Sequence, residues 1–270
     1  MKVIFLDVDG TLVNYEGKVP ESAVRAVREC QKKGNRVYLT TGRSKAEIYP
    51  SLWDIGLDGM IGGNGMYIEE RGEVLLDLAM KKEDVVRAVD WMHKNSLGFY
   101  LESKNGLFAS ENLLSKACGL FGGDTEENRQ RLRAIMPDMI YGGELYRDDV
   151  AKISFYLDPD LLEEARAEFG GTLKVGSWSA SGQRQEFGEF ALAGMDKVNA
   201  IKALLDHLGV DRADTLAFGD AENDIQMVEF CNTGVAMGNA EEGLKAVADH
   251  VAAHIDADGL WNAFAKYGLV

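Results

Sequence analysis

The sequence predicts an α/β protein: a doubly wound, mainly parallel sheet whose chain is interrupted by an inserted α+β module. Three observations predict it. Residues 2–61 alternate strand, helix, strand, helix, strand. The alternation breaks after about Met80, where strand-like runs adjoin across Gly- and Ser-rich turns. It resumes at Asp196 and continues to the last residues. Alternation defaults to parallel strands with right-handed crossovers, whereas neighbouring strands across short turns default to antiparallel pairs.

The elements follow in order. Val3-Ile4-Phe5-Leu6 sits in a strand over residues 2–8, apolar enough to be buried on both faces. Residues 21–33 carry Ala23, Val24, Ala26, Val27 and Cys30 at helical spacing, between Pro20 and a stop at Gly34. A second strand takes 36–41, a second helix opens at Ser44, and a short third strand takes 58–61. The inserted module reads as a helix over 83–95, strands at 99–103, 107–110, 151–157, 172–178 and 184–191, and a helix around 160–169. After Asp196 come a helix to Leu208, a strand at 215–218, a helix at 224–230, a strand at 234–237, a helix at 241–248 and a last helix near Leu260. The expected domains are a core of 1–81 with 191–270 and an insert of 82–190.

Composition narrows the functional classes. A chain of 270 residues buries a core without disulfides or a structural metal. Cys30, Cys118 and Cys231 form no C-x-x-C pair, which speaks for a cytoplasmic setting and against thiolate metal chemistry. The four apolar residues ahead of Asp7 are too few for a signal-peptide core, and no apolar run is long enough to span a bilayer. Lys and Arg number 29 against 44 Asp and Glu, a net charge of -15, so nucleic acid and anionic membranes are excluded as partners. A monomer or small homo-oligomer is expected.

The chemistry collects after the strands. In a parallel sheet the C-terminal strand ends open on one edge, and ligands bind there where the strand order reverses. Strand one is followed by Asp7, Asp9 and Gly10, strand two by Thr41, Gly42 and Arg43, and the strand at 215–218 by Asp220, Asn223 and Asp224, with Lys197 opening a nearby helix. Two carboxylates as close as Asp7 and Asp9 repel unless a cation sits between them. Asp7, Asp9 and Asp220 are hard oxygen donors of the kind Mg²⁺ takes together with a substrate phosphate. The Thr41 hydroxyl, the open backbone at Gly10 and Gly42 and the Lys197 charge could cradle a phosphoryl group. In such a site Asp7 attacks phosphorus, and Asp9 protonates the departing alcohol and then takes a proton from water.

These residues also carry a resemblance. DVDGT at 7–11, TTGR at 40–43, GMDK at 194–197 and GDAEND at 219–224 resemble the four ordered motifs of the haloacid dehalogenase-like hydrolases. NGMYI at 64–68 and GVAMGNAEEGLKAVAD at 234–249 resemble the Cof-type subfamily of sugar and small-metabolite phosphatases. The resemblance implies a Rossmann-like core with an αββ-type cap, acting as a lid, and a Mg²⁺-dependent phosphatase of a small phosphorylated metabolite. It implies Asp7 as nucleophile and Asp9 as general acid and base. The implied metal ligands are Asp7, Asp220 and the backbone carbonyl of Asp9, with Asp224 supporting the metal through water. Thr41, Gly42, Lys197 and Asn223 would hold the phosphate.

Blander readings exist for each piece. Asp-x-Asp-Gly-Thr alone is a turn sequence, but four motifs in order at strand ends favour a site. The sixth residues of loops starting at Asp7 and Asp220 are Leu12 and Ile225, which excludes an EF-hand. Gly62-Gly63-Asn64-Gly65 has neither the dinucleotide nor the Walker spacing and reads as a loop. A phosphomutase, or a non-catalytic phosphosugar-binding or receiver-like regulator, could use the same groups. In the insert, Arg147, Lys152, Arg184 and Glu186 are the polar candidates for substrate contact.

Overall fold

In a computed structural model, residues 1–156, 159–178 and 187–270 are described. The elements run β1 (Val3–Leu6), α1 (Glu21–Lys32), β2 (Arg36–Thr40), α2 (Pro50–Trp53), β3 (Gly59–Gly62), β4 (Tyr67–Glu70), β5 (Glu73–Asp77), α3 (Lys82–Lys94), β6 (Phe99–Ser103), β7 (Gly106–Ala109), α4 (Leu113–Ala117), α5 (Glu126–Ile135), β8 (Met139–Tyr141) and β9 (Lys152–Tyr156). They continue with α6 (Pro159–Phe169), β10 (Leu173–Trp178), β11 (Phe187–Leu192), α7 (Lys197–Leu208), β12 (Thr215–Gly219), α8 (Ile225–Phe230), β13 (Thr233–Ala236), α9 (Glu242–Val247), β14 (His250–Val251) and α10 (Gly259–Lys266). The chain divides into two units. One comprises Met1–Arg43, Ile48–Asp77 and Met195–Val270; the other comprises Ser44–Glu47 and Leu78–Gly194.

The first unit holds an eight-stranded sheet in the order β14-β13-β12-β1-β2-β3-β4-β5. All pairs from β14 to β3 are parallel, and β4 and β5 extend the sheet as an antiparallel hairpin. Alternation within β1 sends Ile4 and Leu6 to one face and Val3 and Phe5 to the other. Ile4 and Leu6 pack with Ala26 and Val27 of α1 and Phe264 of α10. Val3 and Phe5 pack with Ile201 and Leu204 of α7, Met227 and Val228 of α8 and Leu244 of α9. Helices on both faces make β1 apolar along its whole length and β12 apolar past its opening Thr215, so the charged side chains follow the strand ends.

Two local differences from expectation have simple causes. A continuous helix from Ser44 does not form: a 3-10 turn at Lys45–Glu47 is followed by one turn of helix from Pro50, because proline disfavours helical geometry in the residue before it. The hairpin of β4 and β5 turns at Arg71 and Gly72, both at positive φ (49° and 84°), the requirement of a tight two-residue hairpin turn.

The second unit is a six-stranded sheet in the order β10-β11-β9-β6-β7-β8, antiparallel except for the β7–β8 pair. Val85, Val89 and Met92 of α3 and Leu162, Ala165 and Phe169 of α6 cover one face of it through Phe99, Leu101, Ile153 and Phe155. Arg147 is committed to an ion pair with Asp149 (2.7 Å) and lies 3.7 Å over the Phe108 ring. Lys152 is buried, 3.0 Å from Glu102 and 3.9 Å from Glu189. Arg184 and Glu186 lie outside the described residues.

Candidate active site

Strand order reverses between β1 and β12: the chain steps from β1 to β2 and β3 on one side and later fills β12, β13 and β14 on the other. Asp7 leaves the end of β1 and Asp220 the end of β12, in adjacent parallel strands with Leu6 opposite Phe218. The N–H of Asp7 donates to the Phe218 carbonyl at 3.0 Å, which carries the pairing one residue past β1. Two residues 213 positions apart are thus held side by side by sheet register alone.

Asp7, Asp220 and Asp224 each offer a carboxylate oxygen within 4.8 Å of the others, and all three are buried. Lys197, the first residue of α7, is 3 % exposed and reaches 2.8 Å to Asp7 Oδ1 and 2.6 Å to Asp224 Oδ1. Its position is set by Asp196, which caps α7 by accepting from the N–H of Asn199 at 2.7 Å. Asp224 Oδ2 accepts from the N–H groups of Asp220 (3.0 Å) and Ala221 (3.3 Å), closing the loop after β12 on itself. Asp220 accepts from the Tyr15 hydroxyl at 2.6 Å and the Thr11 hydroxyl at 3.3 Å. Among the described residues no basic side chain pairs with Asp220.

Three carboxylates against one ammonium set the protonation of the group. Burial, then the Asp224 charge, pushes Asp7 well above the carboxylate range, against the pull of Lys197. Burial pushes Asp220 up to about 7; the Asp224 charge adds to this, and the hydrogen bonds from Tyr15 and Thr11 oppose it. Burial alone would lower Lys197, but the Asp224 and Asp7 charges outweigh it and hold the ammonium protonated. Like charges about 5 Å apart cost about 3 kcal/mol at an effective dielectric of 20. A divalent cation among these oxygens turns that repulsion into attraction, and hard, buried, incompletely compensated carboxylates are the donor set it takes.

Asp9 stands apart from the three. Its carboxylate is 52 % exposed and is gripped bidentately by Arg43, Nε to Oδ2 at 2.9 Å and Nη2 to Oδ1 at 2.7 Å. Thr41 is buried, and its hydroxyl accepts from the Arg43 N–H at 3.1 Å. Gly10 is at φ +80°, and a β-carbon there would fall 2.0 Å from Asp220 Oδ2, so only glycine lets the loop after β1 close on Asp220. Asn223 is exposed in the turn between Asp220 and Asp224. The fold therefore brings Asp7, Asp220, Asp224 and Lys197 into contact, sets Asp9 beside Arg43, and leaves Asn223 at the rim.

Sequence reading gave no role to Arg43, Tyr15 or Asn239. Asn239 donates to the Gly10 carbonyl at 2.7 Å and accepts from the Ile255 N–H at 3.0 Å, tying the loop after β1 to the last quarter of the chain. It follows β13 as Asp220 follows β12, so strand-end position was an available signal for it. For Tyr15, whose partner lies 205 residues away, no such signal exists.

A buried carboxylate cluster with one lysine at the switch point of a doubly wound sheet is an arrangement suited to phosphoryl-group chemistry. The chain belongs to the haloacid dehalogenase-like hydrolases, whose family model matches residues 4–264. It is 29% identical over 273 residues to a putative phosphatase of Bacillus subtilis, YkrA, covering 100% of this chain and 98% of that one. It is 26% identical over 274 residues to the 5-amino-6-(5-phospho-D-ribitylamino)uracil phosphatase YcsE of the same organism, covering 100% and 96%. Among solved structures it superposes on the subclass IIB sugar phosphatase BT4131 with a TM-score of 0.81 at 27% identity, over 100% of both chains. By family, fold and site it stands with the phosphomonoesterases of this group. No helix among the described residues is long and apolar enough to cross a membrane.

Proposed function

We propose that this enzyme is a Mg²⁺-dependent phosphomonoesterase that hydrolyses a small sugar-type phosphate through an aspartyl-phosphate on Asp7. The observation that carries the reading is the convergence of Asp7, Asp220 and Asp224, with Lys197 paired to Asp7 and Asp224. Asp7 and Asp220 would hold the ion with the Asp9 carbonyl, and Asp224 would support it. When bound, Mg²⁺ supplies positive charge to the phosphate oxygens and keeps Asp7 ionised.

The chain's own groups divide the rest of the work. An Asp7 oxygen forms a bond to phosphorus as the ester P–O bond breaks, and Asp9 gives its proton to the departing alkoxide. Asp9 then takes a proton from water as the water oxygen attacks phosphorus, which frees Asp7 and releases inorganic phosphate. Arg43 orients Asp9 and releases one of its oxygens for each proton transfer. Lys197 neutralises Asp7 and the equatorial oxygens, and the Thr41 hydroxyl, the Gly42 backbone and Asn223 hold the phosphate. Relatives named for a sugar phosphate and for a phosphoribityl compound favour a substrate of that class. The buried, free cysteines fit a cytoplasmic setting.

Phosphate release from a panel of phosphorylated sugars, polyols, nucleotides and cofactors, with and without Mg²⁺, tests the proposal. Release from sugar and polyol phosphates that requires the metal supports it; release unaffected by removing the metal rejects it. A second outcome concerns pH. With Asp220 near 7, the site is protonated below that value and must give up the proton to bind the ion. Mg²⁺ affinity is therefore expected to rise with pH through the neutral range, by about tenfold per pH unit for each proton that Asp7 and Asp220 release. Calorimetry in buffers of different ionisation enthalpy reads the affinity and the released proton together.

A further inference from the structure

The turn after β3 has a backbone that its surroundings must impose. Gly63, Asn64 and Gly65 lie at φ +58°, +54° and +101°, three positive values in succession. Glycine adopts this region freely, and asparagine is one of the few residues with a side chain that accepts it. The contacts explain why the turn is held. The N–H of Gly63 donates to the Arg43 carbonyl at 2.7 Å and that of Asn64 to the Thr41 carbonyl at 3.1 Å, so the turn is fastened on both sides of Gly42. On its other side a β-carbon on Gly65 would come within 2.2 Å of the Asp196 carbonyl oxygen, directly ahead of Lys197. One short turn thus touches both segments that carry the phosphate-binding candidates.

The Asn64 side chain lies over Gly42. A β-carbon on Gly42 would sit 3.3 Å from Asn64 Oδ1 and 3.5 Å from Nδ2. The amide is half-buried and makes no hydrogen bond among the described residues. A donor placed against the phosphate loop by a left-handed backbone, and spent on no internal partner, has its hydrogen-bonding capacity left for a ligand.

We propose that Asn64 is a further phosphate-binding residue: its side-chain NH₂ donates to the phosphate held at Thr41 and Gly42, while its backbone fixes those residues against Lys197. The proposal rests on the reading of Thr41 and Gly42 as phosphate-holding, so the test separates the two. Inorganic phosphate is titrated into the isotope-labelled, Mg²⁺-loaded protein and the Gly42 amide resonance is followed. Asn64→Gly tolerates positive φ and removes only the amide; Asn64→Asp keeps the shape and replaces the donor with a negative charge.

The wild type is expected to shift its Gly42 amide on phosphate binding. Asn64→Gly should weaken the affinity by about tenfold, the worth of one hydrogen bond to a charged group, and Asn64→Asp by more. KM for a phosphomonoester should rise in the same order, with the melting temperature of Asn64→Gly close to wild type. Affinities within twofold of wild type in both variants overturn the proposal while leaving the phosphate loop standing. A wild-type Gly42 amide unmoved by saturating phosphate overturns the loop reading, and the proposal with it.

Discussion

Replacing Asp7 by asparagine is expected to reduce turnover by about 10⁴-fold or more while leaving the fold intact, because in the proposed mechanism it removes the attacking oxygen itself. Burial and the Asp224 charge push Asp7 above the carboxylate range despite the salt bridge from Lys197, so the ionised form is a net burden on the folded state at neutral pH. Asparagine has a similar shape and no charge to bury. The variant should therefore melt no lower than wild type at pH 7. Acid-quenched mixtures examined by mass spectrometry should find a phosphoryl group on Asp7 in the wild type and none in the variant. Wild-type turnover in the variant would rule out the covalent route, and a lowered melting temperature with lost activity would point to a structural role.

Replacing Lys197 by methionine should have the largest effect on stability. The ammonium is the basic partner shared by Asp7 and Asp224, at 2.8 and 2.6 Å, and all three are buried. Removing one member of a buried charge group costs about 3–5 kcal/mol, since the remaining charges keep their desolvation penalty without its compensation. Lys197 is raised, so its contribution is complete at neutral pH and would be lost only on titration in strong alkali. Asp7 is raised, so on acidification it takes up a proton and no longer needs the lysine, and Asp220, raised as well, loses the charge that repels Asp7. Urea denaturation should find the deficit of the methionine variant near its full size at pH 8 and smaller at pH 5. Added Mg²⁺ should restore part of the stability at pH 8 by standing in for the missing charge. An equal deficit at both pH values would contradict this placement of charge.

Much of this was legible because the relevant signals are local. Apolar runs such as Val3–Leu6, ended by Asp7, announce both a strand buried on two faces and the point where it leaves the core. The same punctuation marks Thr41 after β2 and Asp220 after β12. The hairpin of β4 and β5, the helices α4 and α5 and the edge strand β8 were not read. Their signals are weak: α5 presents few apolar residues, and β8 is three residues long. The residues 44–47, which join the second unit, carry no composition change that would set them apart.

By itself the sequence determined which residues are chemically able to act and that they stand at strand ends, because residue type and periodicity are properties of short stretches. Only the tertiary structure decided which of them meet. Parallel register sets Asp7 beside the loop of Asp220, the capped start of α7 turns Lys197 between two carboxylates, and Arg43 claims Asp9. Likewise Tyr15 reaches Asp220, and the turn at Asn64 clasps the segment 41–43. Each of these contacts joins residues tens to hundreds of positions apart or depends on a backbone conformation, so its energy resides in packing and strand order that no short stretch encodes.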